Sequence, residues 1–270
     1  MKLKYITISI ICLLLSIHKL HAQFTNGITG LLHMPNAEIQ KDATFILGGN
    51  LLNRKNLPSD HWWGHDTYNY FVNITLFDRI EVSYICTLVQ GKNNGYWPQQ
   101  TWGKFTNQDR HFAGKIQLVK EGEWWNHMPA IAVGVNDPTT GVQNDGYHYG
   151  GVGKIGNGFF NRRYIAVTKH FNIKDIGELG IHATYLYNKR IDYPLNGPAF
   201  GVNFRSNIHK NLNLIAEYDA KTINVGAIYS LWTDHFNFLF ELQEGKYISA
   251  GLVYKVNLKG GNKWNSKILE

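Results

Sequence analysis

Tyr68-Asn69-Tyr70-Phe71-Val72-Asn73-Ile74-Thr75-Leu76 is the stretch whose reading decides the fold. Tyr68, Tyr70, Val72, Ile74 and Leu76 share one face, and Asn69, Asn73 and Thr75 share the other. A period of two is the signature of a β-strand with one face in an apolar medium and one face wet. Outward from this run the same pattern repeats, giving expected strands at 43–52, 67–77, 79–89, 109–120, 129–136, 162–171, 178–187, 197–205, 211–218, 221–231, 236–242 and 246–258. In the seventh, Leu179, Ile181, Ala183, Tyr185 and Tyr187 oppose Glu178, Gly180, His182 and Thr184. In the last, Ile248, Ala250, Leu252, Tyr254, Val256 and Leu258 oppose Ser249, Gly251, Lys255 and Asn257, with Val253 as the exception.

The apolar stripes carry almost no charge. A charge facing lipid at mid-bilayer costs about 2–4 kcal/mol, so this is the pattern of a lipid-facing surface around a watery lumen. The connections agree. Those at 53–66, 90–108 and 137–161 are long, whereas Asp78, 172–177 and 206–211 are short. Long loops at one end and tight turns at the other mark an outer-membrane barrel, with both termini on the periplasmic side. The connection 121–128 is longer than this scheme prefers. The expected fold is therefore all-β, an antiparallel transmembrane β-barrel of twelve strands with long extracellular loops and short periplasmic turns. The alternative is a soluble secreted β-sandwich or jelly roll, acting as a glycan-binding module or hydrolase. It uses the same alternation, but repeated Glu, His, Lys and Asn on the inward face is too polar for a sandwich core.

The chain opens with basic Met1-Lys2-Leu3-Lys4, an apolar core from Tyr5 to Ile17, and Leu20-His21-Ala22 ahead of Gln23. This is the anatomy of a secretory signal peptide over residues 1–22, too short to span a bilayer as a helix. A periplasmic N-terminal segment is expected at 23–41, the barrel at 42–258 and a polar tail at 259–270. Side chains or the 23–41 segment are available to fill so narrow a barrel. Loss of the leader removes Lys2, Lys4 and Lys19, taking Lys and Arg from 27 to 24 against 20 acids, a mature net charge of about +4. No basic cluster suits nucleic acid. Cys86 is left without an internal disulfide partner and reads as a small apolar residue on a strand. Ser249-Ala-Gly251-Leu-Val-Tyr254-Lys-Val256 resembles the terminal-strand signal read by barrel-assembly machinery, although the tail from Lys259 follows it.

Gly27-Ile-Thr-Gly30-Leu-Leu-His-Met-Pro35-Asn-Ala37 resembles the opening segment of YjbH-type exopolysaccharide proteins. Asn136-Asp137-Pro138, Thr168-Lys169-His170, Leu214-Ile-Ala-Glu217-Tyr218-Asp219 and Ile223-Asn224-Val225-Gly226 are similar too. The chain looks like a single unit where longer members look like two in tandem. The resemblance implies an outer-membrane barrel connected with production or export of an exopolysaccharide or capsule, non-enzymatic, with membrane lipid, the polysaccharide and its export proteins as partners. It carries no catalytic residues over.

Candidate chemistry is sparse, and no cofactor is expected. Trp62, Trp63, Tyr96, Trp97, Trp102, Tyr147 and Tyr149 fall in the long loops, where aromatic planes can stack on sugar rings; interface belts and loop packing are the competing reading. Trp124 and Trp125 sit at the opposite end and fit a belt. His61 and His65 have a metal-ligand spacing with nothing nearby to complete a site. Asp137 is a possible carboxylate catalyst but stands in Asn-Asp-Pro turn chemistry. Gly150-Gly151-Val152-Gly153 lacks the strand–turn–helix context of a phosphate loop. Glu178, His182, Arg205, Glu217, Asp219 and Lys221 are expected as lumen or rim charges. Glu217 and Asp219 share a face by the pleat, balanced by Lys221 or Arg205, and lack the cross-cleft separation of a hydrolase pair.

Overall fold

The computed structural model describes residues 27–57, 63–93, 95, 97–138, 160–188 and 195–259. Twelve strands form one closed antiparallel barrel: β1 Thr44–Leu52, β2 Thr67–Leu76, β3 Ile80–Gln90, β4 Phe105–Val119, β5 Ala130–Asn136, β6 Arg162–Ile173, β7 Gly177–Tyr187, β8 Gly197–Ser206, β9 Leu212–Tyr218, β10 Ile223–Leu231, β11 Phe236–Gln243 and β12 Tyr247–Asn257. Each strand pairs with its sequence neighbours, and β1 closes on β12 from Thr44↔Asn257 to Leu51↔Ala250. A single closed sheet overturns the sandwich alternative. It also removes the unpaired edge strands that an open sheet would leave.

The strands stand where the alternation puts them. The main departure is β4, which begins at Phe105 rather than near 109. Its first residues, Phe105-Thr-Asn-Gln, have no alternation to read. They pair with the end of β3 across an irregularity at Val89/Gln90.

The faces follow the pleat. In β2, Tyr68, Tyr70 and Val72 are exposed outward, while Thr67, Asn69, Asn73 and Thr75 are buried inward. In β7, Ile181, Tyr185 and Tyr187 are exposed and His182 and Thr184 buried. The inward exceptions to the polar pattern have a use. Phe71 and Val253, with Ile85, Ile215, Ile228 and Leu239, form an apolar core inside the barrel.

The short connections 77–79, 174–176, 207–211 and 232–235 lie at the end where β1 starts and β12 stops, together with the longer 120–129. Each carries an exposed large apolar residue: Phe77, Ile176, Ile208, Trp232, and the pair Trp124 and Trp125. Several of these turns use aspartate in the left-handed region, including Asp78 (φ 53°), Asp175 (φ 62°) and Asp234 (φ 71°). Aspartate tolerates that region better than most residues. The other end carries 53–66, 91–104, 137–161 and 188–196, but closes tightly at 219–222 and 244–246.

Residues 27–41, expected as a segment ahead of the barrel or as its filling, run inside it. Ile28, Thr29, Leu31, Leu32, Met34 and Asn36 are fully enclosed. The expected watery lumen is therefore corrected around this segment, since the polar wall bonds to protein there.

An outward charge tests the face assignment. Val167→Arg, central in β6, should lower stability in lipid vesicles by about 2–4 kcal/mol, read as an earlier urea midpoint.

Candidate functional site

The segment inside the barrel is a narrow hairpin. Gly30 bridges Pro35 in antiparallel fashion, and the Leu31 N–H donates to the Met34 carbonyl at 2.9 Å, closing a turn over 31–34. Such a hairpin brings a row of backbone polar groups into a space with little water, so each needs a partner from the wall. Its apolar side chains, Ile28, Leu31, Leu32, Met34 and Ala37, pack against the inward Phe71, Ile215 and Leu239. Two wall glycines make room. A Cβ at Gly201 would stand 2.3 Å from Leu31 Cδ1, and one at Gly226 2.8 Å from Leu32 Cδ2.

Three polar anchors hold the hairpin. At its tip, Glu217 of β9 accepts the backbone N–H groups of Leu32 (2.9 Å), His33 (2.7 Å) and Met34 (3.3 Å). Successive N–H groups converging on one carboxylate form an anion nest. The His33 ring is wedged beside it. Its Nδ1 lies 3.0 Å from Asp219 Oδ2, and its Nε2 lies 2.8 Å from Glu241 Oε1 of β11 without hydrogen-bond alignment. Asn224 of β10 donates to Asp219 at 2.9 Å. Burial alone would raise the Asp219 carboxyl, but the His33 hydrogen bond and charge, with bonds from Thr222 and Asn224, hold it at about 2.

In the middle, Glu81 of β3 accepts from Thr29 N (2.9 Å), Thr29 Oγ1 (2.5 Å) and Gln40 N (3.1 Å). Lys115 of β4 stands 3.4 Å from the same carboxylate and donates to the carbonyls of Thr29 (2.8 Å) and Glu38 (2.5 Å). Gln117 donates to Ala37 O at 2.7 Å, and Ala37 N to Thr168 Oγ1 at 3.0 Å. Behind Thr168 runs a buried chain: Thr168 to His182 (2.9 Å), His182 to Asn203 (2.7 Å), and Asn203 to Asn213 (2.8 Å).

At the base, Glu38 meets His170 (3.0 Å) and Arg205 (3.3 Å), and Arg205 also holds Glu178 at 2.8 Å. His170 reaches on to Glu121 at 2.6 Å. Glu38, His170 and Glu121, with Gln40 and Lys120, line a cavity of about 370 Å³ at the short-turn end. In the 120–129 connection, burial would raise the Glu121 carboxyl. Hydrogen bonds from the His170 ring and amide and from Lys169 outweigh it and hold the group at about 2.

Of the expected lumen charges, Glu217, Asp219, His182, Arg205 and Glu178 thus all belong to the hairpin's seat. Their balance differs from the expectation. Glu217 and Asp219 are met by hairpin amides and His33, while Arg205 serves Glu38 and Glu178. Lys221 is exposed and supplies only its backbone N–H to Asp219 at 3.0 Å. His33, Glu38, Glu81, Lys115, Asn224 and Glu241 are missed by sequence reasoning. A charge at an inward strand position reads the same whether it faces water or a buried segment, and inward apolar exceptions such as Phe71 and Val253 are what signal that something is enclosed.

The loop aromatics divide. Trp63 is buried edge-on against Phe160, centroids 5.7 Å apart, in a cluster with Leu52, Leu57 and Val89, and Trp97 packs against that cluster. Trp102 is half-exposed and donates its ring N–H to Trp97 O at 3.1 Å. Trp62, Tyr96, Tyr147, Tyr149, His61 and the 150–153 glycines lie outside the described residues. His65 accepts the Gln90 N–H at 3.1 Å. Asp137 is buried with φ 48°, its N–H on Phe112 O at 2.7 Å and its carbonyl taken by Asn161, which is a turn role.

The YjbH family, described as exopolysaccharide biosynthesis protein YbjH, matches residues 22–197. The chain belongs to this family. The match takes in Gly27–Ala37 and Thr168-Lys169-His170, which meet through the hairpin, and ends before Leu214–Gly226. No curated protein matches the chain. Among solved structures, an outer membrane channel from Pseudomonas putida F1 is 10% identical over 83% of this chain and 98% of that one, with a TM-score of 0.39. Outer membrane phospholipase A from Escherichia coli is 10% identical over 80% and 95%, with a TM-score of 0.32.

Two outcomes check the anchors. Lys115→Met strands the Glu81 carboxylate in the interior and should cost about 3–5 kcal/mol, whereas Glu81→Gln/Lys115→Met together should recover part of it in urea unfolding. The folded Glu121 carboxyl lies below its unfolded value, so its contribution is present above pH 4.5 and is lost as pH falls toward 2. Hydrogen exchange in 120–128 should rise over that window, and Glu121→Gln should remove the pH dependence.

Proposed function

We propose that the protein spans the outer membrane as a non-enzymatic barrel serving exopolysaccharide production or export, in an assembly or anchoring role rather than as an open pore. The observation that carries this reading is the hairpin segment, enclosed over 27–38 and bonded to the wall inside the barrel of a chain from an exopolysaccharide family. Lipid contact is supported by the outward stripes, where Leu47, Phe112, Phe200 and Leu252 are exposed. The apolar tips of the short turns suit the periplasmic leaflet's interface, where aromatic side chains settle. Export through a leader cleaved after Ala22, insertion by barrel-assembly machinery, and contact with the polysaccharide and its export proteins complete the reading. Trp102 is the half-exposed loop aromatic through which a glycan contact would run. A non-catalytic role is supported by the burial of Glu217 and Asp219, whose oxygens serve the hairpin.

The test is electrical and cellular. The intact protein should fractionate with the outer membrane, shift its gel mobility on heating, and show no large steady conductance in planar bilayers. Deletion of 27–41 should open conductance. Large steady conductance by the intact protein would reject the plugged role, and recovery in the soluble periplasm without detergent would reject the membrane reading. Loss of secreted polymer on deleting the gene is the expected phenotype.

A further inference from the structure

We infer that the outer wall on either side of β5 binds a lipid headgroup carrying two phosphates, held by Arg110 of β4 and Arg163 of β6. The inference rests on the outer-membrane reading above, which puts the long-loop end at the outer leaflet. Among the described residues, the outward strand positions carry charge only at Arg110, Arg163 and Lys169, and none of them holds an acid. Lys169 stands at the short-turn end and is matched within the protein, by Asn126 O at 3.1 Å and Glu121 at 3.0 Å. The two arginines stand toward the long-loop end, are exposed, and form no ion pair with a described acid.

Their positions follow from the strand pairing. Arg163 is the second residue of β6 and lies opposite Tyr187 of β7. Arg110 lies on the part of β4 that runs on past Ala113, where the pairing with β5 ends. A row of paired residues joins Arg163 through Val135 to Gly114. Arg110 is therefore two strands across and four residues along from Arg163, about 17 Å away at the Cα positions. Its guanidinium is held on the far side of β4 from Arg163. With the Gln108 amide turned to suit both neighbours, its oxygen accepts from Arg110 Nε (2.9 Å) and Nη2 (2.7 Å), and its nitrogen donates to the Tyr70 hydroxyl (2.8 Å). Tyr84 of β3 borders the same guanidinium, and its ring packs on Phe112 with centroids 5.1 Å apart. These neutral neighbours orient the charge without cancelling it.

A charge on the lipid-facing wall is costly at mid-bilayer and tolerated near the interface. Long basic side chains there carry their heads toward the headgroups, and tyrosines settle at the same depth. A guanidinium fork takes phosphate oxygens two at a time. Two forks held apart on the sheet, with no acid between them, match two phosphates on one headgroup better than a single phosphate.

Diphosphoryl lipid A is the probe. The full chain, folded in detergent and titrated with it, should bind about 5-fold more tightly than with monophosphoryl lipid A, read by native mass spectrometry. Arg110→Gln and Arg163→Gln should each weaken binding about 5-fold and the pair about 25-fold. Lys210→Gln, which removes an exposed charge at the short-turn end, should leave it unchanged. Heat-modifiable gel mobility verifies that each variant folds. Arg163→Gln, whose side chain has no hydrogen-bond partner among the described residues, carries the test if Arg110→Gln does not fold. Equal affinity for the two lipids, displacement of the lipid by millimolar inorganic phosphate, or undiminished binding by folded Arg163→Gln overturns the site. A chain that inserts into vesicles yet gives any of these results leaves the membrane reading standing, whereas a chain that fails to insert overturns both.

Discussion

The interior of this barrel depends on one constraint: a peptide chain inside a closed sheet must find a hydrogen-bond partner for its backbone on the wall. Glu217 illustrates the solution. One carboxylate collects three successive N–H groups of the turn, so a single wall residue fixes both the position of the tip and its direction. Glu81 and Lys115 do the same in the middle, one as acceptor and one as donor. The apolar contacts of Leu31 and Leu32 with Gly201 and Gly226 supply burial, which is non-directional. The charged anchors supply the register. The pattern gives the inward face two jobs, lining a sheet and completing a second chain segment.

Much of the barrel was legible in the chain. Period-two alternation names the strands because an outward-facing and an inward-facing residue differ in polarity, and that difference repeats at every pair. The contents of the barrel were not legible in the same way. Residues 27–41 have no alternation, since a hairpin surrounded on all sides has no polar face to set against an apolar one. Its composition, Gly-Ile-Thr-Gly-Leu-Leu-His-Met-Pro, gives no period at all. The contacts that matter are also far apart in the chain, such as His33 with Asp219 and Ala37 with Thr168. What could be read was the family-like stretches themselves, and the structure brings two of them together at each of two anchors: 27–37 with 214–226 at the tip, and 27–37 with 168–170 lower down. Glu217 and Asp219 were legible as a same-face pair, but their partners lay in a segment no strand pattern could place.

The loop aromatics show a different limit. Trp63 and Trp102 belong to the same end of the chain's long-loop set, and composition treats them alike. Packing separates them, because Trp63 fills the space between Leu52, Val89 and Phe160 while Trp102 stays at the rim. A residue's position in a loop does not tell whether its plane is spent on a neighbour or left for a ligand.

The place of the hairpin in the chain has a consequence for how the molecule is put together. It directly precedes β1, and the seam that closes the barrel joins β1 to β12, the two ends of the strand sequence. A bonded segment cannot be threaded easily into a finished ring of strands. The inner segment must therefore settle against β3, β4 and β9 while the seam is still open, and the final pairing of β12 seals it in. The β1–β12 pairing then acts as a check on the inner segment: a ring that closes before its contents are seated encloses Glu81, Lys115 and Glu217 with nothing to bind.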